Sequence, residues 1–368
     1  MRFNTELKIH LGQMANNFEL LKKAAPTNEI IFMVKANAYG HGLFEIVHFA
    51  FHELGIKRFG CASLGEAIAL RHKFPEMPSE LWVFSDLSLM HPKAKEAYLD
   101  QNIIPVISHL NDLSLILEDK DFAFLPLVLK FDTGMNRLGF NLPELKQVIA
   151  VIKSSGRKQI KHLMTHFANS YLTLKEKDKT HRQYNEFLLI KKERAANGIQ
   201  IHETSCANSG AIEQGFSLEE SHIRPGLMMY GASSSKHWKG ELVSEFRTQI
   251  LKIIPIKKGV PIGYGSHVCG HNGHIVYITA GYGDGLLTYY SGQEFFYHGK
   301  IAKILGRVNM DLTAVFFKEL PDQIENQNEF YLWDIKNTQI EELASRFKTT
   351  PYQLFTAISS RVPRRYLY

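Results

Sequence analysis

The chain has 368 residues, more than one hydrophobic core usually organises, so a large domain with a smaller companion is expected. Its 45% apolar and 22% charged residues exclude a disordered or fibrous chain, and its net charge of +6 is scattered rather than gathered into a patch, which speaks against nucleic-acid binding. Cys61, Cys206 and Cys269 show neither metal-ligand spacing nor a disulfide framework, and no apolar run is long enough for a bilayer. No metal, no membrane and a cytoplasmic location are expected.

In chain order, short apolar runs at 30–34, 58–63, 81–85, 103–107, 125–130, 160–166, 202–206 and 223–230 alternate with helix-periodic segments such as 64–73 and 184–197. Eight strands so spaced predict a (β/α)8 barrel, which typically takes about 250 residues; a doubly wound open sheet is the competing arrangement. The barrel is preferred because polar residues gather at the C-terminal ends of the runs: Lys35, Ser63, Asp86, Ser108, Lys130 with Asp132, His166, Asn208 and Arg224. That end carries the active site in barrels. After Gly231, runs at 246–255, 273–280, 295–304 and 311–317, bounded by Gly, Pro, Asn and Asp, predict a mostly β domain with a helix near 339–348. Ser233-Ser234-Ser235 predicts a linker, and the early run 7–11 can pair with the β domain. The expected division is residues 10–232 for the barrel, and 1–9 with 237–368 for the β domain.

Lys35 ends the first barrel run and is followed by small residues, Tyr39 and two glycines, in the segment VKANAYGHG at 34–42. A lysine held among such groups can be desolvated enough to act as a nucleophilic amine. Asn208-Ser209-Gly210 and Arg224-Pro225-Gly226-Leu227 follow the seventh and eighth runs, where barrels often hold phosphate on backbone N–H groups. An amine on one lip and a phosphate site on the other point to a cofactor with both an aldehyde and a phosphate; pyridoxal 5′-phosphate (PLP) is the candidate.

Six segments in order, VKANAYGHG at 34–42, KFDTGMNRLG at 130–139, RPGLMMYG at 224–231, GYG at 263–265, GRVNMD at 306–311 and RVPR at 361–364, resemble the alanine racemases of the PLP-dependent, barrel-plus-β-domain type. The resemblance implies a homodimer with shared sites that interconverts L- and D-alanine and supplies D-alanine for peptidoglycan. In it Lys35 binds the cofactor as a Schiff base and serves as one proton-transfer base, while Tyr264 of the other subunit is the second. His166 is implied to hydrogen-bond Tyr264, and Arg224 to face the pyridine nitrogen. Tyr39, Ser209, Gly226 and Leu227 are implied phosphate contacts, with Asn208 beside them. Arg137 is implied near the cofactor's phenolic oxygen and the substrate carboxylate, with Met310 from the partner; Tyr282 and Asp311 are implied to line a gate. Lys130 stands where the family lysine can be carbamylated.

The chain departs from the family pattern at Ser360, where many relatives carry a phosphate-contacting tyrosine, and at Asn309, where cysteine or serine is usual. Three alternatives stay open: a racemase of a related amino acid such as serine, another barrel-type PLP enzyme such as a decarboxylase, and a non-catalytic PLP-binding barrel. Arg224 speaks against the decarboxylases, which tend to place a carboxylate at the pyridine nitrogen. The β domain speaks against the binder.

Overall fold

The computed structural model describes residues 4–175, 177–235, 237–322, 324–325 and 328–368; residues 1–3 of the expected β-domain segment lie outside the described residues. Strand β1 (Glu6–His10) leads through the helix Leu11–Ala24 into eight strands: β2 (Glu29–Met33), β3 (Arg58–Ser63), β4 (Glu80–Asp86), β5 (Ile103–Ile107), β6 (Val128–Lys130), β7 (Gln159–Met164), β8 (Gln200–Asn208) and β9 (His222–Arg224). Neighbours pair in parallel, and β9 closes on β2 with Ile30 opposite Ile223, so the sheet is a closed barrel. Strands covered on both faces read as unbroken apolar runs. In β5 every position is buried.

The outer helices follow the 3.6-residue period: Leu145–Ser154 buries Leu145, Val148, Ile149 and Ile152 against the barrel. Ser63 caps the helix Leu64–Lys73 by accepting from the Glu66 N–H, and that helix spans the residues predicted for it. The eighth predicted run is too long. Pro225 cannot donate to a ladder, so the strand stops at Arg224 and residues Leu227–Tyr230 wind into a 3-10 turn.

The second sheet is organised on β10 (Ser244–Ile256), after which come β11 (Pro261–Ile262), β12 (His267–Val268), β13 (Gly273–Ile278), β14 (Glu294–Tyr297), β15 (Lys300–Ile304), β16 (Thr313–Phe317), β17 (Glu329–Trp333) and β18 (Arg364–Leu367). The order in the sheet is β14-β15-β16-β13-β10-β1-β18, with β17 also on β10, while β11 and β12 pair only with each other as a separate hairpin. β1 runs antiparallel to β10 and parallel to β18, so the run at 7–11 does join the β sheet. The run at 295–304 is two strands rather than one, because His298 and Gly299 turn at φ 45° and 76°. The three serines form a pinned segment instead of a loose linker: the Glu213 carboxylate accepts from the N–H groups of Ser234 and Ser235 and the hydroxyls of Ser233 and Ser235 at 2.7–2.9 Å.

The two layers meet at the turn that follows Lys35. Gly40 adopts φ 82°, and a Cβ there would stand 2.0 Å from the Phe355 carbonyl oxygen. Arg364 Nε donates to the Gly40 carbonyl at 3.1 Å, and the Tyr366 hydroxyl to that of His41 at 3.1 Å. β18 and the helix Pro351–Thr356 therefore clamp the turn, and only glycine allows the approach. Gly40→Ala should lower stability by about 2 kcal/mol or more, against about 1 kcal/mol for Gly55→Ala, where φ is 68° but no atom lies within 4 Å. Urea unfolding of both variants measures the difference; equal losses would show that the clamp contributes nothing.

Candidate active site

Ala36, Asn37, Ala38 and Tyr39 all have φ of 52–56°, so the chain after Lys35 winds one left-handed helical turn that Gly40 completes. Each non-glycine residue in that conformation costs roughly 1–2 kcal/mol. The turn persists because its polar groups are satisfied: the N–H of Ala38 reaches the Val34 carbonyl at 2.8 Å, that of Gly40 the Ala36 carbonyl at 2.9 Å, that of Ala36 the Glu66 carboxylate at 2.7 Å, and that of Leu43 the Asn37 side chain at 2.8 Å. Backbone strain of this kind clusters at active sites and ligand clamps.

Lys35 lines a cavity of about 300 Å³ at the C-terminal mouth of the barrel, together with Tyr39, Lys130, Arg137, His166, Asn208, Ser209, Arg224 and Gly226. Tyr39 crosses toward the last barrel strand, where a Cβ on Gly226 would stand 2.5 Å from its hydroxyl. Ser209 Oγ accepts from the Gly226 N–H at 3.0 Å, which joins the ends of the seventh and eighth barrel strands. Asn208 caps the short helix Ser209–Glu213, and its amide lies 3.4 Å from His166 Nε2. Arg224 is buried; it donates to Ser205 Oγ and to the carbonyls of Thr165 at 2.5 Å and Cys206 at 3.2 Å.

Arg137 sits on the rim, on a loop organised by one carboxylate. Asp132 accepts from the N–H groups of Gly134, Met135, Asn136 and Arg137 at 2.5–3.0 Å. Gly139, at φ 138°, passes so near the backbone that a Cβ would meet the Asp132 nitrogen at 2.5 Å. Burial lowers the pKa of Lys35, and the charge of Arg137 lowers it further, against a smaller opposing pull from Glu66. Burial, then Arg137 and Arg224, bring Lys130 down to about 8. Burial and the same cations hold His166 well below the usual histidine range, so it is neutral. The cavity is thus strongly electropositive and contains amines that lose their proton easily.

Five of the expected residues lie elsewhere. Leu227 is packed in the core and does not line the cavity. Tyr264, Tyr282, Met310 and Asp311 line a separate open depression on the β domain. Tyr264 is at the tip of the β11–β12 hairpin and 71% exposed. Arg361 ties the loops carrying Tyr282 and Asp311 together, bonding Asp284 and Asp311 at 2.8 Å each and the Met310 carbonyl at 3.3 Å. Ser360 is exposed and does not line the cavity; Tyr352, from the helix Pro351–Thr356, does, with its ring 5.8 Å from that of Tyr39. Phe84, Ser85 and Thr165 also line it. Ser85 and Thr165, like the expected residues, lie at strand ends, a signal that would have found them; Tyr352 comes from another layer and gave none.

The fold and cavity define a barrel enzyme built around a desolvated lysine in a cationic mouth, with a β-rich second sheet carrying a separate polar and aromatic face. The chain matches the family models "Alanine racemase, N-terminal domain" over residues 9–234 and "Alanine racemase, C-terminal domain" over 243–366. It is 31% identical to an alanine racemase of Carboxydothermus hydrogenoformans and 30% identical to one of Mannheimia succiniciproducens, each alignment covering 98% of both chains. Among solved structures it is similar to alanine racemase from Acinetobacter baumannii (29% identity, TM-score 0.83) and to the biosynthetic alanine racemase from Pseudomonas aeruginosa (26%, TM-score 0.83), each covering 100% of both chains. The chain belongs to the alanine racemase family.

Burial, the largest cause in each case, keeps four histidines uncharged in the folded state: His41 is pulled down to about 4, His222 to about 3, and His162 and His166 well below normal. Below the ordinary histidine pKa of about 6.5 the unfolded chain binds these protons and the folded chain does not. Their contribution is therefore complete above about pH 6.5 and is lost as pH falls, by about 1.4 kcal/mol per pH unit for each histidine. Urea midpoints should hold from pH 8 to 7 and drop steeply from 6.5 to 5. A midpoint unchanged down to pH 5 would contradict neutral burial.

Proposed function

We propose that this protein interconverts L-alanine and D-alanine with PLP as cofactor, supplying D-alanine for peptidoglycan, as a homodimer in which each site is completed by the partner subunit. The observation that carries the reading is Lys35, an amine of lowered pKa on a strained turn, facing a lip built from Ser209 and Gly226. The residues present fit the cofactor. Ser209 and Tyr39 offer hydroxyls, Gly226 lacks a Cβ where one would fill the cradle, and the volume is at the small end of the range of about 300–1,000 Å³ for small-molecule sites. Lys35, Tyr39, Ser209 and Gly226 would hold it, with Asn208 and Arg224 facing its ring. When bound, PLP supplies an aldehyde that condenses with an amine and a conjugated ring that spreads the electron pair left when an α-proton departs.

The chain's own groups move the proton. Lys35 Nζ holds it on one face of the substrate α-carbon, and the phenol of Tyr264 of the partner subunit on the other; removal on one face and return on the other inverts the centre. His166 accepts at Nε2 from the Asn208 amide, which leaves its Nδ1–H to donate. That donor can bond the phenol oxygen of Tyr264 of the partner subunit and so orient it. Arg224 has only donors and cannot take up a proton, which keeps a facing ring nitrogen unprotonated. Arg137 at the rim pairs with the substrate carboxylate beside Met310 of the partner subunit, and Tyr282 and Asp311 line the entrance. Carbamylation of Lys130, as the family resemblance implies, would turn its like-charge contact with Arg137 into a bidentate pair.

Lys35→Ala and Tyr264→Phe should each cost at least about 10²–10⁴-fold in racemisation, the usual worth of a positioned acid–base group. In dimers mixed from the two variants, one site combines both lesions and the other has neither. Mixing should therefore restore activity, followed by optical rotation of L-alanine; no recovery on verified mixing would place both bases in one chain.

A further inference from the structure

Behind Arg224 the barrel interior holds titratable side chains that none of these steps uses. The Ser205 hydroxyl, which accepts from Arg224, lies 2.7 Å from His162 Nε2, and His162 Nδ1 lies 3.3 Å from Glu203 Oε2. The three sit on adjacent strands, with His162 opposite Glu203 in the ladder. The direction of the bonds is forced. An ionised carboxylate only accepts, so His162 carries its proton on Nδ1 and donates it to Glu203; its Nε2, an acceptor in the neutral ring, takes the Ser205 hydrogen, while the Ser205 oxygen accepts from Arg224.

His162, Glu203 and His222 also have metal-ligand spacing, their donor atoms all within 4.8 Å of one another. The cation there is Arg58, whose guanidinium reaches His222 Nε2 at 2.8 Å, Glu203 at 3.3 Å and Glu80 at 3.1 Å. The set is therefore filled by a side chain.

We propose that Ser205 and His162 are positioning residues that hold Arg224 as a charged donor aimed into the cavity, with Glu203 as its remote counter-charge. The inference rests on the reading of Arg224 given above. Arg224 is 4% exposed, and among the described residues its partners are neutral: one hydroxyl and two carbonyls. A buried cation without an anion is costly, and a polarised chain ending on a carboxylate offsets part of that cost. Three of its five N–H groups are taken by these partners, leaving two for an occupant of the cavity. Around His162 stand Arg224, Arg58, Lys161, Glu80 and His222, with the Trp82 ring edge-on at 5.0 Å. Burial first, then the three cations, keep the imidazole neutral, as the chain requires.

Nitrogen-15 NMR of the full-length, histidine-labelled protein, with or without cofactor and with His162→Gln assigning the resonance, reads the tautomer directly. His162 should be neutral with its proton on Nδ1 from pH 6 to 8; a proton on Nε2 or an imidazolium overturns the proposal. A second readout is PLP affinity, by fluorescence titration, with the resonance of nitrogen-15-labelled pyridine in the bound cofactor. Ser205→Ala and His162→Leu should weaken binding about tenfold or more, the worth of a hydrogen bond to a charged group, and shift that resonance. His162→Gln, whose amide can accept and donate in the same order, should restore most of both. Unchanged affinity and resonance in Ser205→Ala would refute the chain and leave the cofactor reading intact. If the unaltered protein does not bind PLP, the cofactor reading fails and the tautomer alone decides.

Discussion

Four cationic side chains, Lys35, Lys130, Arg137 and Arg224, share one small cavity, and the arrangement around them depends on that crowding. Carboxylates stand nearby, but their lone pairs are committed elsewhere. Glu66 accepts from the N–H groups of Ala36 and Ala62, each at 2.7 Å, and Asp132 from four N–H groups of the 134–137 loop. The acids build backbone and the bases are left facing the cavity. Burial first, and then like charges at close range, disfavour protonation, so the pKa values of Lys35 and Lys130 are lowered and His166 stays neutral. An occupant carrying phosphate, phenolate and carboxylate oxygens would satisfy such a mouth.

The same crowding explains why the strained turn is worth keeping. An amine can be desolvated only if its backbone is fixed, and a left-handed turn of alanine and tyrosine is not stable by itself. Here the barrel supplies Val34 and Glu66 on one side and the second sheet supplies Phe355, Arg364 and Tyr366 on the other. The two layers thus cooperate within one chain to place Lys35. The exposed face holding Tyr264 and Met310 is a separate surface of the same second layer.

Much of this is legible in the sequence. Parallel strands buried on both faces appear as apolar runs, and their polar ends name the mouth, so Lys35, Lys130, His166, Asn208 and Arg224 could be placed together. What was not legible depends on conformation or register. Alanine favours right-handed helix, so Ala36 and Ala38 give no hint of φ near 53°. Tyr352 reaches the cavity from a helix of the second layer, and His162 meets Ser205 only through the pairing of neighbouring strands. The β11–β12 hairpin is too short to show periodicity, and the three serines looked like a linker because their partner, Glu213, is distant in sequence.

On the proposed reading Lys35, and not the likewise desolvated Lys130, is the lysine that condenses with PLP. Borohydride reduction of the PLP-loaded protein, followed by peptide mapping, tests it without any assay of turnover. One pyridoxyl group per chain is expected, on the peptide containing Lys35. Labelling of Lys130 or another lysine in its place, or no stable label, would contradict it.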